Sequence, residues 1–571
     1  MLAKVFKIAN LVKENPYLVK AFVYSCLQHG PAVAFQKVIG KSEGYRQSFE
    51  GYRFISPSPT AHVPDGILPV LNFSEGQNGK VALRYTNLVG SEFADQAFAD
   101  SIVNADLTGA FKKVLETLTT QYLLITLGCD PNISEINAIS DRLIRLRKKP
   151  PAAVYFDSQT ERSDGIKIPF FRPEFSPEHL LAIDFYGSVI AFNLDDLKKI
   201  GDLGEVLSGR ELVTKLLFKL SETKKDILHI PEILYSEPDY LEIRNSEEIG
   251  KRSLQIRQDY LNRLGFPAIV RQHEIFPSVF DMIPKLKAQP KVSIVIPFKD
   301  GGLLLEKCLQ SVYEKSTYAN FEVIAIDNNS VELATSQLIE RYLARPNFKF
   351  FKYNKPFNYA AINNFAVSKA QGEYVVLVNS DIEILSPDWL ESLLSYAQQS
   401  DIGAVGGLLF YADHSIQHAG IVMGVGEVAG HSHKNLPFGQ TGYFYRPYCA
   451  QEVSAVTAAC LMVRTKYYQE VGGLDEVYLG VLYNDVDFCL KLRRQGYRNI
   501  FSPHCQAIHH ESKTRGHDFS AQKIERNRRE THTMLSRYKD LLDNGDPFYS
   551  PHLTRDREDF SLNRGSIYCA R

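Results

Sequence analysis

Apolar and polar positions alternate on two scales in the second half of the chain. Short β-branched runs, VSIVIPF, FEVIAID and FKFFKY, are separated by longer stretches with apolar residues at helical spacing, LLLEKCLQSVYEK and ATSQLIERYLA. The spacing predicts βαβαβ, and EYVVLVNSD adds a further strand. Because the runs are apolar on successive residues rather than on alternate ones, the strands are expected to be buried on both faces of a mostly parallel sheet covered by helices. The first half repeats this order in weakened form. QYLLITLGCDPNISEINAISDRLIRLRKKPPAAV follows EYVVLVNSDIEILSPDWLESLLSYAQQSDIGAVG in apolar run, helix and next strand. A second stretch ending in KKDILHIPEILY runs parallel to the one ending in YRNIFSPHCQAIHH. Two copies of one α/β fold are therefore expected.

Proline and serine punctuate the chain at SPSPTAHVP and again at IFPSVFDMIPKLKAQPK. These breaks suggest a helical segment at 1–50, domains at 51–285 and 286–519, and a helical tail at 520–571. Composition adds exclusions. Across 571 residues, 65 Lys and Arg oppose 66 Asp and Glu, so no net positive field favours nucleic acid. The eight cysteines form no C-x-x-C pair and no zinc-ribbon spacing, which fits a reducing compartment. The N-terminal stretch lacks the apolar core and small-residue cleavage site of a secretory signal, and no run approaches the ~18 apolar residues of a membrane span. A cytoplasmic protein is expected. Lys4, Lys7, Lys13 and Lys20 among apolar residues suit a basic helix resting on the inner membrane face, or one packed on its own protein.

Open α/β sheets bind ligands outside the carboxyl ends of their strands. Three such ends are polar: Pro297-Phe298-Lys299-Asp300-Gly301-Gly302, Asp327-Asn328-Asn329-Ser330, and Asn379-Ser380-Asp381. Each alone reads as a strand end or helix cap. In this order, with AINNFAVSKAQGEYVVLVNSD and EVGGLDEVYLGVLYNDVDFCLKLRRQGYR, residues 290–516 resemble the family 2 nucleotide-sugar glycosyltransferases of GT-A fold. The resemblance implies two GT-A-like, Rossmann-related α/β domains. It places Pro297, Asp327, Asn364, Asn379 and Ser380 on the donor nucleotide, with Asp327 at the base. It makes Asp381 a ligand of Mg²⁺ or Mn²⁺ beside the diphosphate. Asn379 stands where the family more often has Asp, and Ile382 where a third Asp is common; Glu383 is the nearest substitute.

By the same match Asp485 is the catalytic base that removes the acceptor hydroxyl's proton. Asn484 replaces a usual Glu, and Asp487 is a rival that helix geometry turns to another face. A histidine of CQAIHHESKTRG would complete the metal site, His510 being favoured over His509, while Lys513 and Arg515 would clamp phosphates. The stretch HAGIVMGVGEVAGHSHKNLP resembles enzymes that transfer rhamnose during O-antigen and surface-polysaccharide assembly. His431 and His433, alternating along an extended segment, are expected to face the acceptor, with Lys434 beside them. A zinc pair there lacks further ligands. In the first half the corresponding region leaves Asp130 alone, and Val213 and Lys215 fall where Asp485 and Asp487 stand; Glu211 serves only in another register. That half reads as a degenerate, non-catalytic copy.

The resemblance thus implies an inverting, metal-dependent glycosyltransferase of bacterial polysaccharide assembly. Its donor is a nucleoside-diphosphate sugar, dTDP-rhamnose before UDP- or GDP-sugars, and its acceptor a glycan or lipid-linked glycan. A noncatalytic glycan-binding scaffold is the alternative that Asn379 and Asn484 favour.

Overall fold

The computed structural model describes residues 70–75, 81–89, 92–94, 107–161, 165–237, 247–286, 288–510 and 521–563. The segment 1–50 with its four lysines, and Lys513 and Arg515, lie outside them. The described chain forms two compact units that divide between Ile283 and Pro284. The first takes in Pro547–His552; the second comprises Pro284–Asp546 and Leu553–Asn563. The expected tail is thus no separate body. Its helices, Ala521–Arg537 and Lys539–Asn544, belong to the second unit.

The second unit is built on a mixed sheet. Its strands are β1 (Val292–Phe298), β2 (Phe321–Asp327), β3 (Phe348–Lys352), β4 (Tyr374–Val378), β5 (Ile382–Ile384), β6 (Ile402–Phe410), β7 (Ile416–His418), β8 (Ile421–Met423), β9 (Ala429–His431), β10 (Gln451–Val453), β11 (Cys460–Arg464) and β12 (Arg498–His509). The order is β3-β2-β1-β4-β11-β6-β12-β5, with β7 beside β6 and β10 beside β12. The first four are parallel. Strand β11 enters antiparallel to both β4 and β6, and β12 runs parallel to β6. Every residue of β4 and of β6 is buried, as their unbroken apolar runs require. Helices Gly302–Lys315, Leu333–Leu343, Tyr359–Val367, Trp389–Ala397 and Asn484–Arg494 accompany these strands. Because β1, β2 and β4 run the same way, their carboxyl ends and the loops at 299, 328 and 379 share one edge of the sheet.

The first unit repeats the joint of this sheet. Its strands Val70–Glu75, Tyr122–Leu127, Val189–Asn193, Ala153–Glu161 and Ile227–Ser236 are adjacent in that order, related as parallel, antiparallel, antiparallel and parallel. This is the order and direction of β1, β4, β11, β6 and β12. Register agrees as well. Tyr122 pairs Asn193 as Tyr374 pairs Arg464, and Gln159 pairs Ser236 as Phe410 pairs Ile508. Lys224 and Gly496, both left-handed (φ 56° and 87°), each lie four residues before the paired Leu228 and Ile500. The copies differ at one flank. Where β1 is followed by the parallel β2 and β3, the strand Val70–Glu75 pairs with an antiparallel Val81–Val89. Among the described residues the first unit therefore has no counterpart of the strand that ends in Asp327.

Candidate active site

The loops after β1 and β2 are stitched to each other. The Asp300 carboxylate accepts the N–H groups of Val331 (2.7 Å) and Glu332 (2.9 Å), and Glu332 accepts that of Gly301 (3.0 Å). Asp327 accepts the Ser330 N–H at 2.8 Å, which folds its loop back on the strand end, and Phe298 lies opposite it in the β1–β2 pair. Pro297, one residue before the end of β1, is half-buried on the same edge.

At the end of β4, Asn379 receives the hydroxyl of Tyr359 on its Oδ1 (2.9 Å) and turns its amide nitrogen to His509 Nε2 (3.3 Å). Ser380 makes the turn into β5. Asp381 Oδ1 lies 3.2 Å from the same His509 Nε2. His510 faces away from this group and holds Glu383 at 3.0 Å. The preference for His510 is therefore reversed. The antiparallel pair Ile382↔His509 sets the phase of β12, and its neighbour must point to the other side. For the same reason Glu383 is spent on His510 and does not join Asp381.

Asp485 opens the helix Asn484–Arg494. One carboxylate oxygen accepts the Ala458 N–H at 3.0 Å, the other the Val486 N–H at 2.9 Å, and each keeps lone-pair capacity. A cavity of about 120 Å³ is lined by Asn379, His509, Gln417, His431, Asn484 and Asp485, among others. Asp487, the rival, is fully buried and is spent structurally: Arg537 and Tyr538 of the C-terminal segment bind its Oδ1 at 2.7 Å.

His431 lines the cavity, and its ring is set from behind. The Gly420 N–H donates to His418 Nε2 (3.3 Å), so the proton of that buried imidazole sits on Nδ1 and is donated to His431 Nδ1 (2.9 Å). Burial, then the neighbouring His431 and His509, hold His418 well below the ordinary histidine range. His433 does not share this role. Its backbone is left-handed (φ 58°), which ends the alternation, and its ring stacks on Phe560 while binding Ser432 Oγ and the Tyr443 N–H. Burial, and then Arg446, push it well below the usual range. Lys434 pairs with Glu558 at 3.3 Å.

Asn364 is likewise structural. Its amide donates to the Leu474 carbonyl (2.9 Å) and Glu476 (3.1 Å), and accepts from the Leu474 N–H (3.0 Å) and the Tyr468 hydroxyl (2.7 Å). It pins the Gly472-Gly473 turn, where a Cβ on Gly473 would lie 2.5 Å from Asn364 Oδ1. Asn364→Ala is expected to cost about 4 kcal/mol at roughly 1 kcal/mol for each of the four lost bonds, read as a lower denaturant midpoint with nucleotide affinity unchanged.

Two cavity residues, Gln417 and Tyr359, and His418 behind them escaped the sequence reading. Gln417 and His418 lie in a three-residue strand with no periodicity, and Tyr359 reads as an ordinary core aromatic. The only signal was that His418 opens the HAGIV stretch.

The same positions in the first unit carry other chemistry. Leu127 donates to the Ser188 carbonyl (2.8 Å) as Asn379 does to that of Ala459 (3.1 Å), which sets Cys129, not Asp130, at the place of Asp381. Glu237 follows Ser236 and so stands where His509 stands. Beside Glu237 lies the buried guanidinium of Arg172, bound to Glu237 (2.7 Å), Ser158 (2.9 Å) and the carbonyls of Phe156 and Phe185 (both 2.9 Å). A Cβ on Gly187, the counterpart of Ala458, would fall 2.5 Å from Arg172. Arg172 thus stands against the counterparts of two cavity residues, Ala458 and His509. Val213 holds the place of Asp485, Lys215 Nζ donates to the carbonyls of Leu203 and Glu205, and Glu211 is paired with Arg252. Burial lowers the Lys215 pKa.

Residues 293–471 match the family model described as glycosyl transferase family 2. An uncharacterized protein, y4gI, of Sinorhizobium fredii is 35% identical over 403 residues, 69% of this chain and 44% of that protein. The O-antigen biosynthesis protein RfbC of Myxococcus xanthus is 32% identical over 452 residues, 77% of this chain and 34% of that protein. An N-acetylglucosaminyl-diphospho-decaprenol L-rhamnosyltransferase of Mycobacterium tuberculosis is 25% identical over 237 residues, 38% of this chain and 75% of that protein. The chain spans less than half the length of the first two.

Proposed function

Residues 293–471 form a family 2 glycosyltransferase domain, and on that premise we propose that the second unit transfers a sugar from a nucleoside diphosphate to a glycan or lipid-linked glycan. The observation that carries this reading is the convergence of His509, held beside Asp381, with Asp485 and Asn379 on one cavity at the carboxyl edge of the sheet. Asp485 takes the proton of the acceptor hydroxyl as its oxygen attacks the anomeric carbon, and the nucleoside diphosphate leaves from the opposite face, inverting that carbon. Ala458 and Val486 fix the carboxylate for this step. Tyr359 holds Asn379, and the stitched loops hold Asp327 on the edge where the nucleoside would lie.

The residues present fit a divalent cation. Asp381 and His509 supply a carboxylate and an imidazole side by side, while among the described residues no group of three or more His, Cys, Asp or Glu could hold a metal without help. Two protein ligands with the rest from substrate phosphates and water suits Mg²⁺ or Mn²⁺, which would neutralise the diphosphate as it leaves. We favour dTDP-rhamnose as donor, supported by the likeness to a protein named for rhamnosyl transfer. The first unit is read as non-catalytic, supported by the arginine that stands against the counterparts of two cavity residues. No helix among the described residues is long and apolar enough to cross a membrane.

Purified protein with Mn²⁺ or Mg²⁺ should release nucleoside diphosphate from one class of donor among dTDP-rhamnose, UDP-hexoses and GDP-sugars, and should bind one nucleotide per chain. Two nucleotides per chain would reject the reading of the first unit. No release with any donor or glycan acceptor, together with no nucleotide binding, would leave a glycan-binding scaffold.

A further inference from the structure

The side chains that surround His509 say more than that it lies near Asp381. Gln417 is buried on β7, 92 residues away in sequence, with its Oε1 2.9 Å from His509 Nδ1. An amide oxygen only accepts, so this contact requires the proton on Nδ1. On the far side of the ring, Asn379 presents its amide nitrogen to Nε2, because its own oxygen is taken by the Tyr359 hydroxyl. An amide nitrogen only donates, so this contact requires a lone pair on Nε2. Two amides from different strands specify the same tautomer. That one lone pair, met by the long 3.3 Å Asn379 contact, also lies 3.2 Å from an Asp381 carboxylate oxygen, and a cation bound between them would take it over from the Asn379 amide. Two electron-rich atoms at that distance repel unless positive charge lies with them.

We infer that Gln417 is a positioning residue whose side-chain carbonyl holds the His509 imidazole with its proton on Nδ1, so that Nε2 and Asp381 together are ligands for a divalent cation. The inference rests on the reading of Asp381 as a metal ligand and extends it to a residue outside the D-x-D segment and the final strand. Metal-bound imidazoles usually donate their other ring N–H to an acceptor of this kind, which fixes ring angle and basicity. The rival arrangement is an imidazolium paired with Asp381 and no cation.

Mn²⁺ binding to the full chain, followed by the electron paramagnetic resonance signal of free Mn²⁺ without any nucleotide sugar, separates these. Gln417→Leu should weaken Mn²⁺ binding by about 10–100-fold, the usual effect of removing such a partner. Gln417→Glu keeps an acceptor for Nδ1–H and should stay within about threefold of the parent on the same grounds. Unchanged binding in Gln417→Leu, or a loss in Gln417→Glu as large as in Asp381→Asn, would overturn the inference. Asp381→Asn tells the two readings apart. If it abolishes binding while Gln417→Leu does not, only the role of Gln417 falls. If it leaves Mn²⁺ affinity untouched, the cation site falls and Gln417's role with it. Should Gln417→Leu fail to fold, Gln417→Glu carries the test, since its retained affinity separates an acceptor requirement from a packing one.

Discussion

Asp485→Asn is expected to lower kcat by about 10²–10⁴-fold, the range of a general base in a displacement, with Mn²⁺ and nucleotide affinity little changed. An amide has the size of the carboxylate but cannot take the acceptor's proton. The substitution also exchanges one of two accepting oxygens for a donor. Either Ala458 or Val486 then loses its partner, for a stability cost of about 1–2 kcal/mol. Asp487→Asn provides the contrast. That carboxylate lies two residues further along the same helix, fully buried against Arg537 and Tyr538. Its loss should lower stability by about 3 kcal/mol, as expected when a buried charge pair is broken. Enzyme that remains folded should keep its turnover. The two variants therefore separate along kcat and denaturant midpoint in opposite senses. Turnover intact in Asp485→Asn, or lost in folded Asp487→Asn, would assign the base to the other carboxylate.

Sequence showed the strands because burial on both faces leaves unbroken apolar runs, and it showed strand ends because polar residues must interrupt them. It could also show the repeat, since the order of runs survives when side chains do not. What it could not show were choices set by pairing. Whether His509 or His510 faces Asp381 depends on the phase of β12, which follows a register shift between Gly407 and Leu408 and is set by Ile382 on another strand. The family resemblance put Asn364 on the donor, and a matched motif names the residue but not its partner Leu474, 110 positions on. His433 was expected to follow His431 by alternation, and one left-handed residue broke the rule. Tyr359 and Gln417 were invisible for the opposite reason. Their roles reside in side-chain hydrogen bonds to Asn379 and His509, and no periodicity marks a side chain that acts by holding another.

Arg172→Met is expected to destabilise the first unit by about 3–5 kcal/mol, the effect of leaving a buried charge without its partner. The guanidinium and Glu237 are both almost wholly inaccessible and lie 2.7 Å apart. Arg172 also serves Ser158 and the carbonyls of Phe156 and Phe185. Met fills most of the volume but satisfies none of these acceptors, so Glu237 is stranded in a dry site. Combining it with Glu237→Gln removes the stranded charge and should recover about 1–3 kcal/mol of the loss, a coupling that equilibrium denaturation of the four proteins in the cycle would measure. Additive losses would mean that the pair does not act as a unit. The magnitude bears on function because Arg172 lies beside the counterpart of a cavity residue and Glu237 stands at the place of His509 in the second unit. In the second unit a carboxylate and an imidazole face each other at 3.2 Å, where we place a cation; in the first a positive charge is supplied by the Arg172 side chain as a guanidinium. A copy stabilised this way has its positive charge built in. On the proposed reading the guanidinium stands where a metal diphosphate would lie, so one nucleotide per chain, rather than two, is the stoichiometry expected.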